Sequence, residues 1–563
     1  MAEEKLSKLE KIKDSSNFLV GSIPQELEDD SANFSKDNAQ LLKFHGIYQQ
    51  TDRDTRKSNK ASGKGVDYSF MVRTALPGGL FTSEQYVLMD ELCDSMGAGN
   101  MRLTTRQGIQ YHHITKTNLR PLIKTLNEKL VTTFSKCGDV VRNINCCPAP
   151  FADREASEIM KWAEKLDVAV RPKTNAYMQV WVNGEKEQTE TITEEPLYGA
   201  TYLPRKFKIG FAFPGDNCID VHSHDVGIVP VMDGGKLKAF TILVGGGFGN
   251  SHAKKETYPR MASPICDCKP EEMIDVVKVI ITIQRDHGNR VNRAQARMKY
   301  LVDSWGLEKF KAEMDSRFGS ELPAPSIIEW KTGEDHFGWY EQANGDWFYG
   351  LFVENGRIVD SDDSKLRTGI RKIVDKFSPE LRFTAQQNIL FCNIKESDKD
   401  SFNDLMAEHG ITRTEDIPKP IKQAMACPAL PTCGLALTES ERVLPEIIRS
   451  VDKELEKLGL KDFDIFTRMT GCPNGCARPY SAELGIVGRS VGKFNIYLGG
   501  SRENSRLNEL YAEKVADEDL VPTIAQVLGY FKETRNGEEA FGDFCARVGV
   551  EKLRSEFGIS IKE

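Results

Sequence analysis

The segment RLTTRQGIQYHHI at residues 102–114 recurs as RFTAQQNILFCNI at residues 382–394, and this repeat decides the fold prediction. The two segments align without a gap and share five identical positions. The same offset of 280 positions carries Cys-Pro-Ala at 147–149 onto Cys-Pro-Ala at 427–429. Self-similarity of this kind indicates an internal duplication.

A third pair of segments extends the duplication toward the C-terminus. GIVPVMDGGKLKAFTILVGGG at 227–247 resembles GIVGRSVGKFNIYLGG at 485–500. Because all three matches occur in the same order, we expect two homologous halves related by a pseudo-twofold axis. Each half should contain a small strand–helix–strand unit followed by a larger α/β unit. Since no regular β-α-β alternation or GxGxxG motif is present, the predicted fold class is α+β.

Local patterns place several elements along the chain. The first 66 residues are polar and are predicted to form an irregular arm. A capping box at Thr82 predicts a helix start. The remaining predictions are strands at 68–79 and 101–114 and long amphipathic helices at 271–288 and 441–459.

Composition excludes several classes of protein. The 563 residues are 40% hydrophobic and 28% charged, which excludes disordered and collagen-like chains. A net charge of −8 does not favour a general nucleic-acid binder. The sequence has no apolar run long enough to cross a membrane, and its start lacks the apolar core of a secretory signal. We therefore expect a cytoplasmic protein that interacts with neither membrane nor specific nucleic acid.

Four of the thirteen cysteines form two spaced pairs. Cys427 and Cys433 are separated by five residues, and Cys472 and Cys476 by three. A spacing of five is awkward for a zinc knuckle, whereas iron–sulfur ligands tolerate wider spacing and often precede proline. From spacing alone, an iron–sulfur cluster, a zinc site and buried free thiols all stay open. The first half keeps Cys147 before a proline but lacks the other three cysteines, so one half alone is expected to hold a cluster.

Two segments combine positive charge with a strand pattern. Apolar residues alternate along 207–213, which puts Lys206 and Lys208 on the opposite face, about 7 Å apart. An anion between two such ammonium groups would relieve their repulsion. Alternation along 101–114 likewise puts several polar side chains on one face, provided that no turn breaks the strand: Arg102, Thr104, Arg106, Gln110 and His112. Solvated strand faces are the alternative interpretation of both segments.

Taken together, these motifs resemble the sulfite and nitrite reductase hemoproteins. The similarity runs from about residue 17 to about residue 553 and includes RLTTRQ, LPGG, the RKFK strand at 205–208, MACPALPTC, LVGGG, TGCPNGCARP and GDFCARVG in the family order. The resemblance implies that each small unit is a ferredoxin-like half-domain and each larger unit a siroheme and iron–sulfur domain. The implied boundaries are 1–66, 67–134, 135–325, 326–400 and 401–563.

The resemblance also implies two cofactors and their ligands. A 4Fe-4S cluster would be bound by Cys427, Cys433, Cys472 and Cys476, and Cys476 would also ligate the siroheme iron. A shared thiolate would couple the two cofactors electronically. The eight carboxylates of siroheme would be met by a set of basic residues, namely Arg102, Arg106, His112, Arg290, Arg293 and Arg297.

Four further cations are implied to bind the substrate: Arg73, Arg142, Lys206 and Lys208. They would neutralise an anion and help to deliver protons. The implied reaction is the six-electron reduction of sulfite to sulfide in sulfur assimilation. Nitrite reduction to ammonia is the alternative, but nitrite reductases typically carry asparagine where this chain has Lys208.

The electrons must come from another chain, because the sequence contains no flavodoxin-like or nicotinamide-binding module. Segments such as MKYLVDSWGLEKF and GWYEQANGDWFYG resemble the ferredoxin-dependent branch. Ferredoxin is therefore the favoured donor, with an NADPH flavoprotein as the alternative. A hypothesis from a different class is a zinc-stabilised scaffold in which the four cysteines are structural.

Overall fold

The computed structural model describes residues 6–152, 156–174, 181–182, 185–186 and 195–561. The predicted segments 1–66, 135–325 and 401–563 each include residues that lie outside this described part.

The strands of the described residues are short and alternate irregularly with helices. In chain order they are β1 Ile47–Thr51, β2 Tyr68–Ala75, β3 Leu80–Phe81, β4 Met101–Leu103, β5 Gly108–Ile114, β6 Asn145–Cys146, β7 Trp181–Val182, β8 Glu185–Lys186, β9 Ile209–Phe211, β10 Gly215–Asp216, β11 Val226–Asp233, β12 Lys236–Val244, β13 Ser263–Cys268, β14 Trp330–Thr332, β15 Gly338–Glu341, β16 Trp347–Leu351, β17 Arg357–Ile358, β18 Glu380–Phe383, β19 Ile389–Ile394, β20 Met425–Ala426, β21 Thr467–Thr470, β22 Leu484–Ser490, β23 Lys493–Leu498 and β24 Glu509–Ala516.

The α-helices cover the sheets and connect their strands. They are α1 Lys8–Asp14, α2 Ile23–Glu26, α3 Asn38–Leu41, α4 Arg56–Ala61, α5 Ser83–Met96, α6 Lys116–Glu128, α7 Ala156–Ala169, α8 Met273–His287, α9 Met298–Trp305, α10 Leu307–Phe318, α11 Leu366–Phe377, α12 Lys399–Glu408, α13 Lys419–Lys422, α14 Leu444–Lys457, α15 Leu520–Thr534, α16 Phe541–Val548 and α17 Val550–Glu556. The predicted long helices correspond to α8 and α14, and α5 begins after Thr82 with the predicted capping box.

Two small sheets carry the repeated segment. Their strand orders are β1-β2-β5-β4-β17 and β15-β16-β19-β18-β3. The halves exchange their edge strands, because β17 comes from the second half and pairs with β4, whereas β3 comes from the first half and pairs with β18. Each small sheet is therefore completed by the other half, as a pseudo-twofold relation requires.

The two larger sheets each contain strands of one half only, and both have the same arrangement. In the first, β6, β9 and β11 are mutually parallel neighbours, and β12 and β13 continue the sheet antiparallel. In the second, β20, β21 and β22 are parallel and β23 and β24 continue antiparallel. The hairpins β11–β12 and β22–β23 contain the third sequence repeat. The α+β fold with two homologous halves is thus confirmed.

The repeated segment is a tight hairpin and not the continuous strand predicted for residues 101–114. The chain turns between β4 and β5, and Gln107 has a positive φ of 53°. Gln387 occupies the same place in the second half with a φ of 73°. Arg106 lies in the turn, outside both strands, whereas Arg102 pairs with Gln110 across the hairpin, so Arg102, Gln110 and His112 share one face as predicted.

Residues 6–66 are not an irregular arm, which corrects the prediction for this part of the chain. β1 is an edge strand of the first small sheet, in antiparallel pairing with β2. Several apolar side chains of the segment, Leu19 and Phe34 among them, belong to the main hydrophobic core. The Lys13 ammonium donates to the Leu203 carbonyl at 2.8 Å, which ties α1 to the segment that precedes the RKFK motif. A polar composition concealed this packing.

Every helix within the described ranges is too short or too polar to span a lipid bilayer.

Candidate functional site

Strand ends bring two of the four paired cysteines together. Cys427 follows β20 and Cys472 lies just beyond β21, and these strands are parallel neighbours. Because the carboxyl ends of parallel strands meet at one edge of a sheet, the two thiols lie at the same edge. The Cys427 amide donates to the Met469 carbonyl at 3.2 Å, which fixes the first ligand loop against β21.

The surroundings of these thiols hold them protonated unless a metal binds them. Burial, with the charge of Cys476 adding to it, raises the pKa of Cys427 and of Cys472 to about 12. The Gly471 amide and the Asn474 side chain each donate to one of these sulfur atoms at 3.4 Å. Buried thiols that repel one another become thiolates together only when a metal compensates their charge.

The spacing of the sulfur atoms is wider than a single ion requires. In the part of the chain that the structure describes, no three of the four sulfur atoms lie within 4.8 Å of one another. A zinc ion with sulfur ligands at about 2.3 Å would draw them closer than this. The four cysteines therefore fit a polynuclear cluster better than a zinc ion.

Cys476 differs from its three neighbours in being exposed. Its charge acts on Lys206, Lys208 and Arg73, since it raises the pKa of each of these groups against other influences. The structure thus brings the exposed cysteine of the set and three of the four predicted substrate cations within electrostatic reach of one another.

Lys206 and Lys208 flank a buried phenylalanine. Phe207 bridges to Val141 while both lysines stay half-buried, as the alternation predicted. The regular strand is shorter than expected, since β9 begins only at Ile209. Among the described residues, neither ammonium group has a hydrogen bond or an ion pair with a protein group. Two half-buried cations without protein partners are a strong indication of an anionic ligand.

The electrostatics of the two lysines support this interpretation. Burial, with Arg297 and Arg205 adding repulsion, lowers the pKa of Lys206 to about 7. Burial and the nearby Lys206 and Arg106 charges lower the pKa of Lys208 well below its ordinary value. A bound anion would reverse both effects and stabilise the charged forms.

Arg73 and Arg142 complete the predicted substrate set from different elements. Arg73 lies on β2, where one guanidinium nitrogen donates to Gln110 at 3.0 Å and its buried Nε has no partner. Arg142 donates from Nε to the Gly138 carbonyl at 2.8 Å, and its amide donates to the Phe207 carbonyl at 2.8 Å. This backbone bond sets Arg142 beside the two lysines, where its charge contributes to the lowered pKa of Lys206.

Three arginines predicted to contact siroheme are paired with protein groups. Arg293 forms two bonds with Asp139, at 2.7 and 2.9 Å, and donates to the Pro204 carbonyl. Arg290 is paired with Glu10 and donates to the Tyr202 carbonyl at 2.6 Å. These bonds hold the segment that leads into the RKFK motif.

Arg297 supports the same motif from its other side. It forms two bonds with Asp225, at 3.0 and 2.7 Å, and Asp225 accepts the backbone amide of Lys208 at 2.8 Å. The structure gives Arg290, Arg293 and Arg297 a positioning role, and their contact with siroheme stays a prediction.

The remaining predicted siroheme contacts are deeply buried. Arg102 donates to the Ala426 carbonyl at 2.9 Å and pairs with Glu441, so it braces the residue before Cys427. Arg106 bonds to His224 at 2.7 Å and to the Ile209 carbonyl at 3.0 Å. His112 approaches Gln50 with Nδ1 at 3.3 Å, while its buried Nε2 has no partner.

Sequence reasoning missed the residues that pair with these cations. Asp139, Asp225, His224 and Glu441 lie far along the chain from the cations that they contact, so no spacing or repeat connects them. The same reasoning missed Arg53, which donates to the Cys433 and Ala436 carbonyls and braces the first ligand loop. Contacts between residues so distant in sequence become visible only in the folded chain.

Comparison with known proteins identifies the family to which this architecture belongs. The model of the nitrite and sulphite reductase 4Fe-4S domain matches residues 137–322 and 420–563, and that of the nitrite/sulfite reductase ferredoxin-like half domain matches 63–129 and 340–409. The chain belongs to the nitrite and sulfite reductase family.

Curated relatives of this reductase chain match over nearly its whole length. Proteins named "Sulfite reductase [NADPH] hemoprotein beta-component" from Anoxybacillus flavithermus and Staphylococcus haemolyticus are 41% and 42% identical, covering 97% of this chain and 96% of each relative. The protein of that name from Bacillus subtilis is 40% identical, with 98% and 97% covered. The solved NirA protein of Mycobacterium tuberculosis superposes with a TM-score of 0.80 at 20% identity, over 98% of both chains, which shows a shared fold.

The cofactor prediction is confirmed at the level of the family. The matched family model is that of a 4Fe-4S domain, and the relatives are named as hemoproteins, so the cofactors of this reductase chain are a 4Fe-4S cluster and siroheme. The donor set fits them, because it offers two cysteines at one sheet edge, two more in the loops that follow, and cations near the exposed Cys476. Which residues hold each cofactor is part of the proposal below.

Proposed function

We propose that this chain reduces sulfite to sulfide with six electrons, with Cys427, Cys433, Cys472 and Cys476 holding the 4Fe-4S cluster and Cys476 also meeting siroheme. The observation that carries the proposal is the pair of unpartnered ammonium groups, Lys206 and Lys208, next to the exposed Cys476. When bound, the cofactor pair supplies single electrons to the substrate.

The chain itself supplies binding, orientation and protons. Lys206, Lys208, Arg73 and Arg142 present positive charge from one strand and two irregular segments, and they bind the substrate as an anion. The two arginines stay charged and fix its orientation, since guanidinium groups donate in a rigid fork. The lysines are the proton donors, because burial and repulsion by neighbouring cations lower the pKa of both groups and make their protons easier to release.

Steady-state rates with sulfite and with nitrite under one artificial electron donor test the substrate. We expect a higher kcat/KM with sulfite, because Lys208 adds a cation for the substrate with more charge and more oxygen atoms to protonate. A large preference for nitrite would reject the proposal and favour nitrite reduction to ammonia.

The electron donor we propose is an NADPH-oxidising flavoprotein. Support comes from relatives in several genera whose names include NADPH and a beta-component, which implies a second component that handles the nucleotide. These relatives do not support the ferredoxin donor favoured from local segments of the sequence.

The donor proposal is tested by supplying electrons in two ways. The holoenzyme is assayed with NADPH plus the flavoprotein component of a related sulfite reductase, and separately with reduced ferredoxin. We expect turnover with the flavoprotein and little with ferredoxin. Turnover with ferredoxin and little with the flavoprotein would reject the proposed donor and favour ferredoxin.

A further inference from the structure

A second group of metal-ligand residues lies in the first half, away from the four paired cysteines. Cys147, Asp216, Cys218 and His336 each direct one ligand atom to a common point, and all four atoms lie within 4.8 Å of one another. All four residues are buried, with at most 6% of any residue exposed. We propose that these residues bind one structural Zn²⁺ ion.

The distances between the ligand atoms match a tetrahedral zinc site. Ligands at about 2.3 Å for sulfur, 2.05 Å for nitrogen and 2.0 Å for oxygen, set at tetrahedral angles, are separated by about 3.5 Å (S–O), 3.6 Å (S–N) and 3.3 Å (N–O). Cys147 Sγ lies 3.6 Å from Asp216 Oδ2 and 3.7 Å from His336 Nε2. His336 Nε2 lies 3.3 Å from Asp216 Oδ2. Three of the six distances thus agree with tetrahedral zinc, and the Cys218 Sγ lies within 4.8 Å of the other three ligand atoms.

The chemistry of the four ligands selects the metal. Two thiolates with an imidazole and one carboxylate oxygen favour zinc over the oxygen-preferring magnesium and calcium ions. Four protein ligands leave no open coordination position, which is typical of structural and not of catalytic zinc. Asp216 already pairs with His336, and a divalent ion would bind this carboxylate, the imidazole and the two thiolates together.

Neighbouring groups orient the ligands. The Cys218 backbone amide donates to Asp216 Oδ1 at 3.0 Å, which directs Oδ2 toward Cys147 and His336. The Phe151 ring packs edge-on against the His336 imidazole, with 4.8 Å between ring centroids, and shields it from water. Supporting contacts of this kind accompany well-formed metal sites.

The site joins the two halves of the molecule. Cys147 follows β6 of the first large sheet, Asp216 ends β10, and His336 lies just before β15 of the second small sheet. The adjacent Asp335 accepts from Asn388 at 2.8 Å, within the second copy of the repeated turn. A zinc ion here would clamp the first large sheet to the second small sheet.

Zinc content and coordination of the intact holoenzyme test the proposal. We expect one equivalent of zinc per chain by elemental analysis, in addition to iron. X-ray absorption at the zinc edge should show two sulfur ligands at about 2.3 Å and two nitrogen or oxygen ligands at about 2.0–2.1 Å. Protein without zinc, purified from zinc-supplemented cells, would overturn the proposal, as would a shell of four sulfur atoms, which would place zinc at the other cysteines.

Matched variants separate this site from other cysteines. Cys218→Ser and His336→Gln should each reduce zinc more than about tenfold while iron content stays unchanged. Cys146→Ser alters an equally buried cysteine adjacent to Cys147 and should keep its zinc. Zinc retained in both ligand variants would overturn the proposal, as would a Cys147–Cys218 disulfide in anaerobically purified wild-type protein. If the variants do not fold, the zinc-edge X-ray absorption spectrum of the wild-type protein decides whether two sulfur atoms bind the ion.

Discussion

Cys147 and Cys427 occupy equivalent places in the two halves but have different neighbours. Each follows the parallel edge strand of a five-stranded sheet with the same strand order, and each precedes a proline. Around Cys427 the loops supply three more cysteines, whereas around Cys147 they supply Asp216, Cys218 and His336. Sheet topology therefore fixes where the edge cysteine lies, and the loops decide which chemistry surrounds it.

The first prediction separates the two cysteine regions by function. Cys476→Ser should reduce turnover more than about 100-fold, because loss of a direct ligand exceeds the 10–100-fold effect of an outer-shell partner. Steady-state rates and the visible absorption spectrum measure the effect. Cys146→Ser, a buried cysteine of the first half, should keep wild-type turnover. Unchanged turnover in Cys476→Ser would contradict the assignment of the bridging ligand.

The second prediction concerns Lys208, where the family resemblance implies asparagine in nitrite reductases. Lys208→Asn should lower kcat/KM for sulfite about 100-fold and for nitrite much less, since it removes a charge that stabilises the more highly charged substrate. The ratio of the two kcat/KM values is the measurement. Lys254→Asn, which removes an exposed lysine, serves as control. An unaltered ratio would remove Lys208 from the specificity argument.

The third prediction uses the lowered pKa of Lys206. The pKa is about 7, so Lys206 loses its charge as pH rises through 7, and anion binding should weaken above that pH. Nitrite keeps one charge over this range, so its KM should rise by up to about tenfold per pH unit. In Lys206→Arg the cation persists and the profile should flatten. A wild-type KM that is constant between pH 6 and pH 9, roughly the span in which this group titrates, would contradict the prediction.

The fourth prediction compares the two copies of the repeated turn. The side-chain amide nitrogen of Gln107 donates to the carbonyls of Gly78, Cys146 and Phe383 at 2.8–2.9 Å. The side-chain amide nitrogen of Gln387 donates only to the Leu103 carbonyl, at 3.4 Å, among the described residues. Gln107→Ala should therefore destabilise the protein by about 2–3 kcal/mol and Gln387→Ala by about 1 kcal/mol. Urea unfolding measures both. Equal losses would mean that backbone strain at positive φ, which both positions share, dominates.

Repeats and motifs predict most of this fold, and tertiary pairing explains the rest. The duplication, the four cysteines and Lys206 with Lys208 could be recognised in the sequence because each forms a local pattern. The edge strands β3 and β17 could not, because two-residue strands gain their order only from pairing with the other half. The same reason applies to His336, which lies 189 residues from Cys147. The N-terminal segment was wrongly predicted to be irregular because its few apolar residues are spread among polar ones.

The positioning arginines show what a family resemblance leaves open. Arg290, Arg293 and Arg297 each have a carboxylate partner in the protein, and their contact with siroheme stays a prediction. Basic residues near an anionic cofactor can also contribute indirectly, because they hold in position the segments that contact the cofactor or the substrate. A sequence alone does not distinguish the two roles, because the paired carboxylates, Glu10, Asp139 and Asp225, are far away along the chain.

The central claim, that Cys427 to Cys476 hold a cluster joined to siroheme, is tested most directly by iron and acid-labile sulfide analysis of the anaerobically purified holoenzyme, together with its visible spectrum. The account predicts about five iron atoms and four sulfides per chain, with a Soret band and a chlorin-type band in the red. Colourless protein without iron or sulfide, with zinc bound to these four cysteines, would contradict it.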